Sequence, residues 1–390
     1  MYQIEKLCVN YKERPAYDPK DYPGVRAITY DGMPIGASKT KVFAYLGFPD
    51  HTKEPVPGIV LIHGGGGHAF PAWVQMWVER GYAAIAMDTT GFYPEGDGWH
   101  YGLYGSFAEE GYVDAPNNTG MVDGVDEDVE KNWLYHAVGS AILARKLLAA
   151  DERVDAARIG VCGISWGGVI TSILIGQDPN FAFAIPIYGS GHLGGELTMG
   201  SIGKHFRPLS VQKRWLAEKR FDRVKIPVLW LCWNDDNNFS IQANSQSYLD
   251  TLPGNERTCL SIVHEMYHSH LDGWVRPESA SFASAVLEGK PLPRILTQPG
   301  GRSFELEVEW DGLLCATAYY ITSPMKYKEH DKFGYGSYTF MEQVWQMQSC
   351  QVEGGKVSCE LPEETAGYYV EIKTQVAGEE FVLSSVYVEL

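Results

Sequence analysis

Ser165 stands in Gly163-Ile164-Ser165-Trp166-Gly167-Gly168, between the apolar runs Arg158-Ile159-Gly160-Val161-Cys162 and Val169-Ile170-Thr171-Ser172-Ile173-Leu174-Ile175. That order reads as a strand, a tight turn and a helix, with glycines where chains must pass closely and a strained backbone at the central serine. A serine so held is a candidate nucleophile on an elbow. With 42 glycines in the chain, a Gly-x-Ser-x-Gly string also arises by chance, so the weight rests on the flanking elements and the groups downstream. A serine hydroxyl needs a base within hydrogen-bond reach, and that base needs a carboxylate to fix its tautomer. Leu231-Cys232-Trp233-Asn234 runs into Asp235-Asp236, the end of a parallel strand where such a carboxylate belongs. Asp236 is favoured, with Asp235 as the alternative because neighbouring side chains at a strand end alternate in direction. The base is expected in His264-Glu265-Met266-Tyr267-His268-Ser269-His270, where His268 sits at the loop tip and His270 is the alternative. The His-x-His string does not extend to the donor spacing of a closed zinc site, so neither a metal nor a cofactor is expected.

Attack by a serine on a carbonyl creates an oxyanion, which two backbone N–H donors aimed at one point would stabilise. Trp166 N–H is the first candidate, and Gly65 within His63-Gly64-Gly65-Gly66-Gly67 is the second. This run lacks the Lys-Ser/Thr pair of a phosphate-binding loop. Trp99, Trp233 and Trp274 lie near these motifs and are candidate substrate contacts, because aromatic walls suit sugar faces and flat acyl groups. Half-buried packing would account for them equally well.

The elements that must position these groups follow a strand–helix alternation. Val25-Arg26-Ala27-Ile28-Thr29-Tyr30 and Thr40-Lys41-Val42-Phe43-Ala44-Tyr45-Leu46 read as antiparallel strands that open a sheet. Strand-like runs at 58–62, 82–87, 158–162, 183–188, 228–232 and 259–263 alternate with helical stretches at 72–78, 131–150, 240–252 and 277–287, which predicts a parallel layer. Residues 92–130, rich in Gly, Tyr, Asp and Asn without a period, are expected to form a lid or pocket wall. A basic helical insertion is expected over 210–224. Beyond Pro291-Leu292-Pro293 the runs turn to alternating strands, predicting a small β-sandwich. The expected class is therefore α/β, with a catalytic domain over 1–290 and an all-β accessory domain over 295–390.

Composition narrows the partners. A formal charge of −17 argues against nucleic acid and anionic membrane surfaces. No apolar run approaches the roughly 20 residues that cross a bilayer, and the first residues lack a signal-peptide pattern, so a cytoplasmic location is expected. A homo-oligomer stays open. Seven scattered cysteines suit reduced thiols. One pair is placed differently: a Gly354-Gly355 hairpin turn would set Cys350 opposite Cys359 at a non-hydrogen-bonded site. Free thiols are nonetheless expected there on the compartment argument.

Taken together, the His63-Gly64-Gly65-Gly66-Gly67 run, the Gly-x-Ser-Trp-Gly-Gly elbow, the Asn234-Asp235-Asp236 segment and the His-x-His loop make the first 290 residues resemble the α/β-hydrolase superfamily. Within it the chain is most similar to the acetyl xylan esterase and dienelactone hydrolase-like branch, distant kin of the prolyl oligopeptidases. The order Ser, Asp, His along the chain is the one that superfamily uses. The resemblance implies the α/β-hydrolase fold and hydrolysis of a carboxylic ester through an acyl-enzyme. It assigns Ser165 as nucleophile, Asp236 as acid, His268 as base, and Gly65 and Trp166 as oxyanion donors. Such relatives commonly place Gly before the acid where this chain has Trp233-Asn234-Asp235, which leaves Asp235 in play. The expected partner is a small-molecule ester, with an acetylated sugar as one candidate, and activity should rise as the base loses its proton near its ordinary pKa of about 6.5. Two alternatives stand beside this reading. One is a prolyl oligopeptidase-like serine peptidase, although no Glu-Glu pair offers itself for a peptide amine. The other is an inactive binding protein whose β-domain is the working surface.

Overall fold

Short apolar runs separated by amphipathic stretches build strands that are buried on both faces, which is the mark of a parallel sheet covered by helices. The computed structural model describes residues 7, 9–50, 53–95, 98–101, 112–116, 128–194, 202–236, 238–264, 266–325, 327–330, 337–340 and 343–390. It divides into two compact units, one of Met1–Ala184 with Pro208–Trp215, the other of Ile185–Arg207 with Leu216–Leu390.

In the first unit the strands are β1 (Tyr11–Glu13), β2 (Val25–Asp31), β3 (Lys41–Gly47), β4 (Val56–Ile62), β5 (Ala83–Met87), β6 (Phe92–Glu95), β7 (Gly98–Tyr101) and β8 (Val154–Ile164). Their sheet order is β1-β2-β3-β5-β4-β8, while β6 and β7 form a separate hairpin. β2 and β3 pair antiparallel and β3 meets β5 antiparallel, whereas β4 pairs parallel with both β5 and β8. Every residue of β3 and β5 is buried. The helix Pro71–Val78, started by a proline at its first position where the missing N–H costs nothing, carries the chain from β4 to β5. The helix Trp133–Ala149 is buried along almost its whole length, so its sequence is apolar all round rather than striped. Much of the 92–130 segment, namely 96–97, 102–111 and 117–127, lies outside the described residues. Phe92–Tyr101, where no period predicted structure, pairs as β6 with β7.

The second unit begins with β9 (Ala184–Ile187), β10 (Leu229–Trp233) and β11 (Cys259–Val263), with β10 parallel to both neighbours. The helix Ile241–Thr251 follows β10, its first turn capped by Ser240 Oγ accepting from Ala243 N–H at 3.0 Å, as expected of a serine at that position. The basic 210–224 stretch forms the helix Leu209–Trp215, which belongs to the first unit, and then a 3₁₀ segment, Ala217–Arg223, in the second.

The tail contains β12 (Arg294–Ile295), β13 (Ser303–Glu309), β14 (Cys315–Ile321), β15 (Tyr327–His330), β16 (Ser337–Phe340), β17 (Gln346–Ser349), β18 (Gln351–Glu353), β19 (Lys356–Glu360), β20 (Gly367–Val376), β21 (Glu379–Ser384) and β22 (Val388–Glu389). They make a four-stranded antiparallel sheet, β12-β13-β19-β18, and a second of order β17-β14-β20-β21 with β22 on β20. Strict alternation along β13 puts Phe304, Leu306 and Val308 inside, and Phe304 stacks on Tyr368 of β20 at 5.1 Å. The two sheets therefore share a core as a sandwich does. The tail also reaches β11: Ser261 Oγ donates to Val382 O at 2.7 Å, and Ser384 Oγ both accepts from Ile262 N–H at 2.9 Å and lies 3.1 Å from Ile262 O. Among the described residues no helix is long and apolar enough to cross a membrane.

Candidate active site

β8 ends at Ile164 and the helix Trp166–Leu174 starts two residues later, so Ser165 must turn the chain alone. It does so at φ 56°, ψ −116°, a conformation that costs a non-glycine residue about 1–3 kcal/mol. The flanking glycines explain how the turn closes. A Cβ on Gly163 would lie 2.1 Å from Gly167 O, and one on Gly167 would lie 2.0 Å from Ile62 O, at the end of β4. The elbow is thus pressed against the neighbouring strand, leaving Ser165 half-buried at the head of a nine-residue helix. A helix N-terminus favours negative charge beside it.

The chain leaving β4 enters the glycine run next to this helix. Gly67 N–H donates to Gly64 O at 3.1 Å, and Gly66 adopts φ 69°. A Cβ on Gly65 would come within 2.7 Å of the Trp166 indole, so the loop rests on that ring only because position 65 has no side chain. Trp166 in turn meets Trp133 edge-on at 5.4 Å. His63 holds the loop from below. Its Nε2 accepts from Thr89 N–H at 3.0 Å, which leaves Nδ1 to donate to Gly64 O at 2.7 Å. Beside it, Asp88 Oδ2 accepts from the backbone N–H groups of Thr90, Gly91 and Phe92 at 2.8, 2.6 and 2.9 Å. Sequence reasoning assigned nothing to Thr89 or Asp88, although their place directly after β5 marks them as residues that shape a loop at the C-terminal ends of parallel strands.

In the second unit Asp236 follows β10 and His268 follows β11. Asp236 Oδ2 lies 2.6 Å from His268 Nδ1, with the carboxylate side chain wholly buried and the imidazole about a quarter exposed. The other oxygen, Oδ1, accepts from Asn238 N–H at 2.7 Å and Phe239 N–H at 3.0 Å. The His268 ring stacks on Tyr188 at 4.7 Å and on Phe239 at 6.0 Å. Tyr188, held at φ 48°, donates its hydroxyl to Tyr267 O at 2.5 Å and so pins the residue before His268. Burial draws the His268 pKa down, but the charge and hydrogen bond of Asp236 outweigh it and hold the pKa above the ordinary 6.5. Tyr188 and Phe239 carry no motif, and only a strand-end position hinted at the first.

The alternatives occupy other places. Asp235 is half-buried and adds to the field that raises the buried Tyr369 phenol. His270 opens the helix His270–Trp274, its ring 6.1 Å from Trp274. Trp233 is half-buried, 5.6 Å from Tyr267. Trp99 pairs through its backbone with Pro94, and its side chain lies outside the described residues.

The model of the acetyl xylan esterase family matches residues 5–189. An acetyl xylan esterase from Paenibacillus sp. R4 superposes with a TM-score of 0.50 at 18% identity, covering 73% of this chain and 89% of that one. A puromycin-hydrolyzing peptidase from Mycobacterium tuberculosis also gives 0.50 at 18% identity, covering 70% of this chain and 41% of its own. An uncharacterized peptidase of Bacillus subtilis (strain 168) is 23% identical over 207 residues, which span 50% of this chain and 28% of that protein. Strand order and elbow thus give the chain the α/β-hydrolase fold, and over residues 5–189 it is similar to the acetyl xylan esterase family.

Proposed function

We propose that the chain is a serine hydrolase that cleaves carboxylic esters, with Ser165, His268 and Asp236 as its triad. One observation carries the reading: an imidazole held by a buried carboxylate, His268 Nδ1 to Asp236 Oδ2 at 2.6 Å, on the loops that follow consecutive strands of a parallel layer. That pairing fixes the tautomer so that His268 Nε2 is the basic nitrogen. In the first step Nε2 takes the Ser165 proton while Oγ attacks the ester carbon. The N–H groups of Gly65 and Trp166 receive the oxyanion. Collapse of the intermediate expels the alcohol, which takes the proton from His268, and the acyl group stays on Oγ. Water then repeats the sequence and releases the acid. In this reading residues 1–290 carry the chemistry and 295–390 form the accessory β-domain.

The substrate class is supported by the similarity to the esterase family over 5–189 and by Trp233 and Tyr267, whose rings pair at 5.6 Å and of which Tyr267 directly precedes His268. Flat apolar faces of that kind suit the faces of a sugar ring, so an acetylated carbohydrate is the substrate we favour. Peptide cleavage is the second reading, supported by the peptidase relatives. A fluorophosphonate probe tests the core assignment: it should label the wild type and leave Ser165→Ala unlabelled. Absence of labelling in the wild type would remove the serine mechanism. Side-by-side turnover of acetylated xylo-oligosaccharides, simple acetate esters and aminoacyl amides then divides the readings. Acetylated sugars should be preferred, and faster amide cleavage would favour the peptidase.

A further inference from the structure

The hairpin between β18 and β19 brings together two cysteines that the hydrolase chemistry does not use. Gly354 and Gly355 both take positive φ, 57° and 79°, the conformation of a two-residue type I′ turn. The register then runs Glu353↔Lys356, Val352↔Val357 and Gln351↔Ser358. One further step sets Cys350 against Cys359. Counting from the hydrogen-bonded pair that closes a two-residue turn, this is a non-hydrogen-bonded site, where Cα atoms approach to about 4.5 Å. Disulfides span Cα separations of about 4.4–6.8 Å. The backbone agrees, since Cys350 N–H turns away from Cys359 and donates to Ala316 O at 2.9 Å. Both side chains share the face of Val357, which is fully buried, and the two thiols are hydrogen-bonded to each other.

The cysteines differ in their access. Both are half-buried, but Cys359 lines an open groove with Ser303, Phe304, Gln351 and Glu360, to which Cys350 does not contribute. We infer that Cys350 and Cys359 are a disulfide-forming pair, in which Cys359 attacks and Cys350 resolves. With a small disulfide RSSR as the oxidant, the Cys359 thiolate attacks one sulfur, forms Cys359–S–S–R and releases RSH once a proton is taken up. Cys350 then loses its proton and attacks the Cys359 sulfur, expelling the second RSH. Two thiols and RSSR give one protein disulfide and two RSH. Burial raises the Cys350 thiol to about 12, so this sulfur is a poor first nucleophile toward a reagent in solution but acts well on a mixed disulfide already in contact with it.

The experiment treats the full-length protein with oxidised glutathione at pH 8, alkylates the remaining thiols after denaturation and maps the peptides by mass spectrometry. A single cross-link between the peptides holding Cys350 and Cys359 is expected, and dithiothreitol should reverse it. Cys350→Ser should accumulate a stable glutathione adduct on Cys359, whereas Cys359→Ser should leave Cys350 unmodified. The same outcome is expected in the Ser165→Ala background, so the result does not depend on the proposed hydrolase activity. Full alkylation of both residues after oxidation, or an adduct that forms on Cys350 instead, would overturn the assignment.

Discussion

Both oxygens of Asp236 are engaged, one by His268 and the other by two backbone N–H groups, and its side chain is buried where that of Asp235 is half-exposed. Asp236→Asn should therefore lower kcat/KM for ester hydrolysis by about 10⁴-fold, through the wrong imidazole tautomer, and Asp235→Asn should change it by less than about tenfold. Equal losses in the two variants would reassign the acid. The His268 pKa, held above 6.5 by Asp236 despite burial, sets the pH dependence. A base works only after losing its proton, so kcat/KM should climb with pH and reach its midpoint above 6.5 rather than at it. A rate profile from pH 5 to 9 that is flat, or half-maximal below 6.5, would contradict that role. The proposed triad could be read in the sequence as a serine, a carboxylate and an imidazole because each follows a recognisable strand. The sequence could not separate Asp235 from Asp236, since the difference lies in the direction of side chains at a strand end. Nor did it reveal Tyr188 and Phe239, whose contact with His268 depends on loops far apart in the chain.

The elbow is the element on which the proposed nucleophile depends, and the glycines in and beside it are needed for two different reasons. Gly167 is required by proximity: a methyl there would meet Ile62 O at 2.0 Å, and strand backbone cannot move aside without opening the sheet. Gly167→Ala should destabilise the fold by about 3 kcal/mol or more, the upper range of overpacking effects, read by chemical denaturation. Gly66 is required by conformation alone, with φ 69° and open space around its Cα. Gly66→Ala should cost only about 1–2 kcal/mol; a loss as large as that of Gly167→Ala would show that the loop is packed more tightly than its geometry implies. Strands β4, β5, β10 and β11 were readable because burial on both faces leaves them almost wholly apolar, with Ser261 as their one polar residue. The β6–β7 hairpin was not, because Phe92-Tyr93-Pro94-Glu95 has neither alternation nor a strand-like composition. The last long run also ended sooner than its residues suggested. β21 stops at Ser384, where Ser384 and Ser385 hydroxyls bond to backbone groups of Ile262 and Val370, and such bonds compete with the strand ladder.

At the scale of the molecule, the tail is joined to β11 within the second unit through hydrogen bonds that are fully buried. Ser384→Ala should remove the partner of Ile262 N–H and cost about 1–3 kcal/mol, with kcat/KM unchanged, as measured by urea unfolding beside an ester assay. A variant that loses activity but no stability would place the tail in the chemistry instead. That the tail would be a β-sandwich was readable from alternation, but its grip on β11 was not, since the two segments lie about 120 positions apart in the chain. This grip has a consequence of its own. β11 is the last strand of its layer, and a last strand normally offers its bare amides and carbonyls to any other chain that can add a strand to it. The Ser384 hydroxyl of the tail meets both Ile262 N–H and Ile262 O, and Val382 O takes up the Ser261 hydroxyl, without extending the sheet. Damage to the tail would therefore show first as self-association through an uncovered border, with turnover of the remaining monomer untouched.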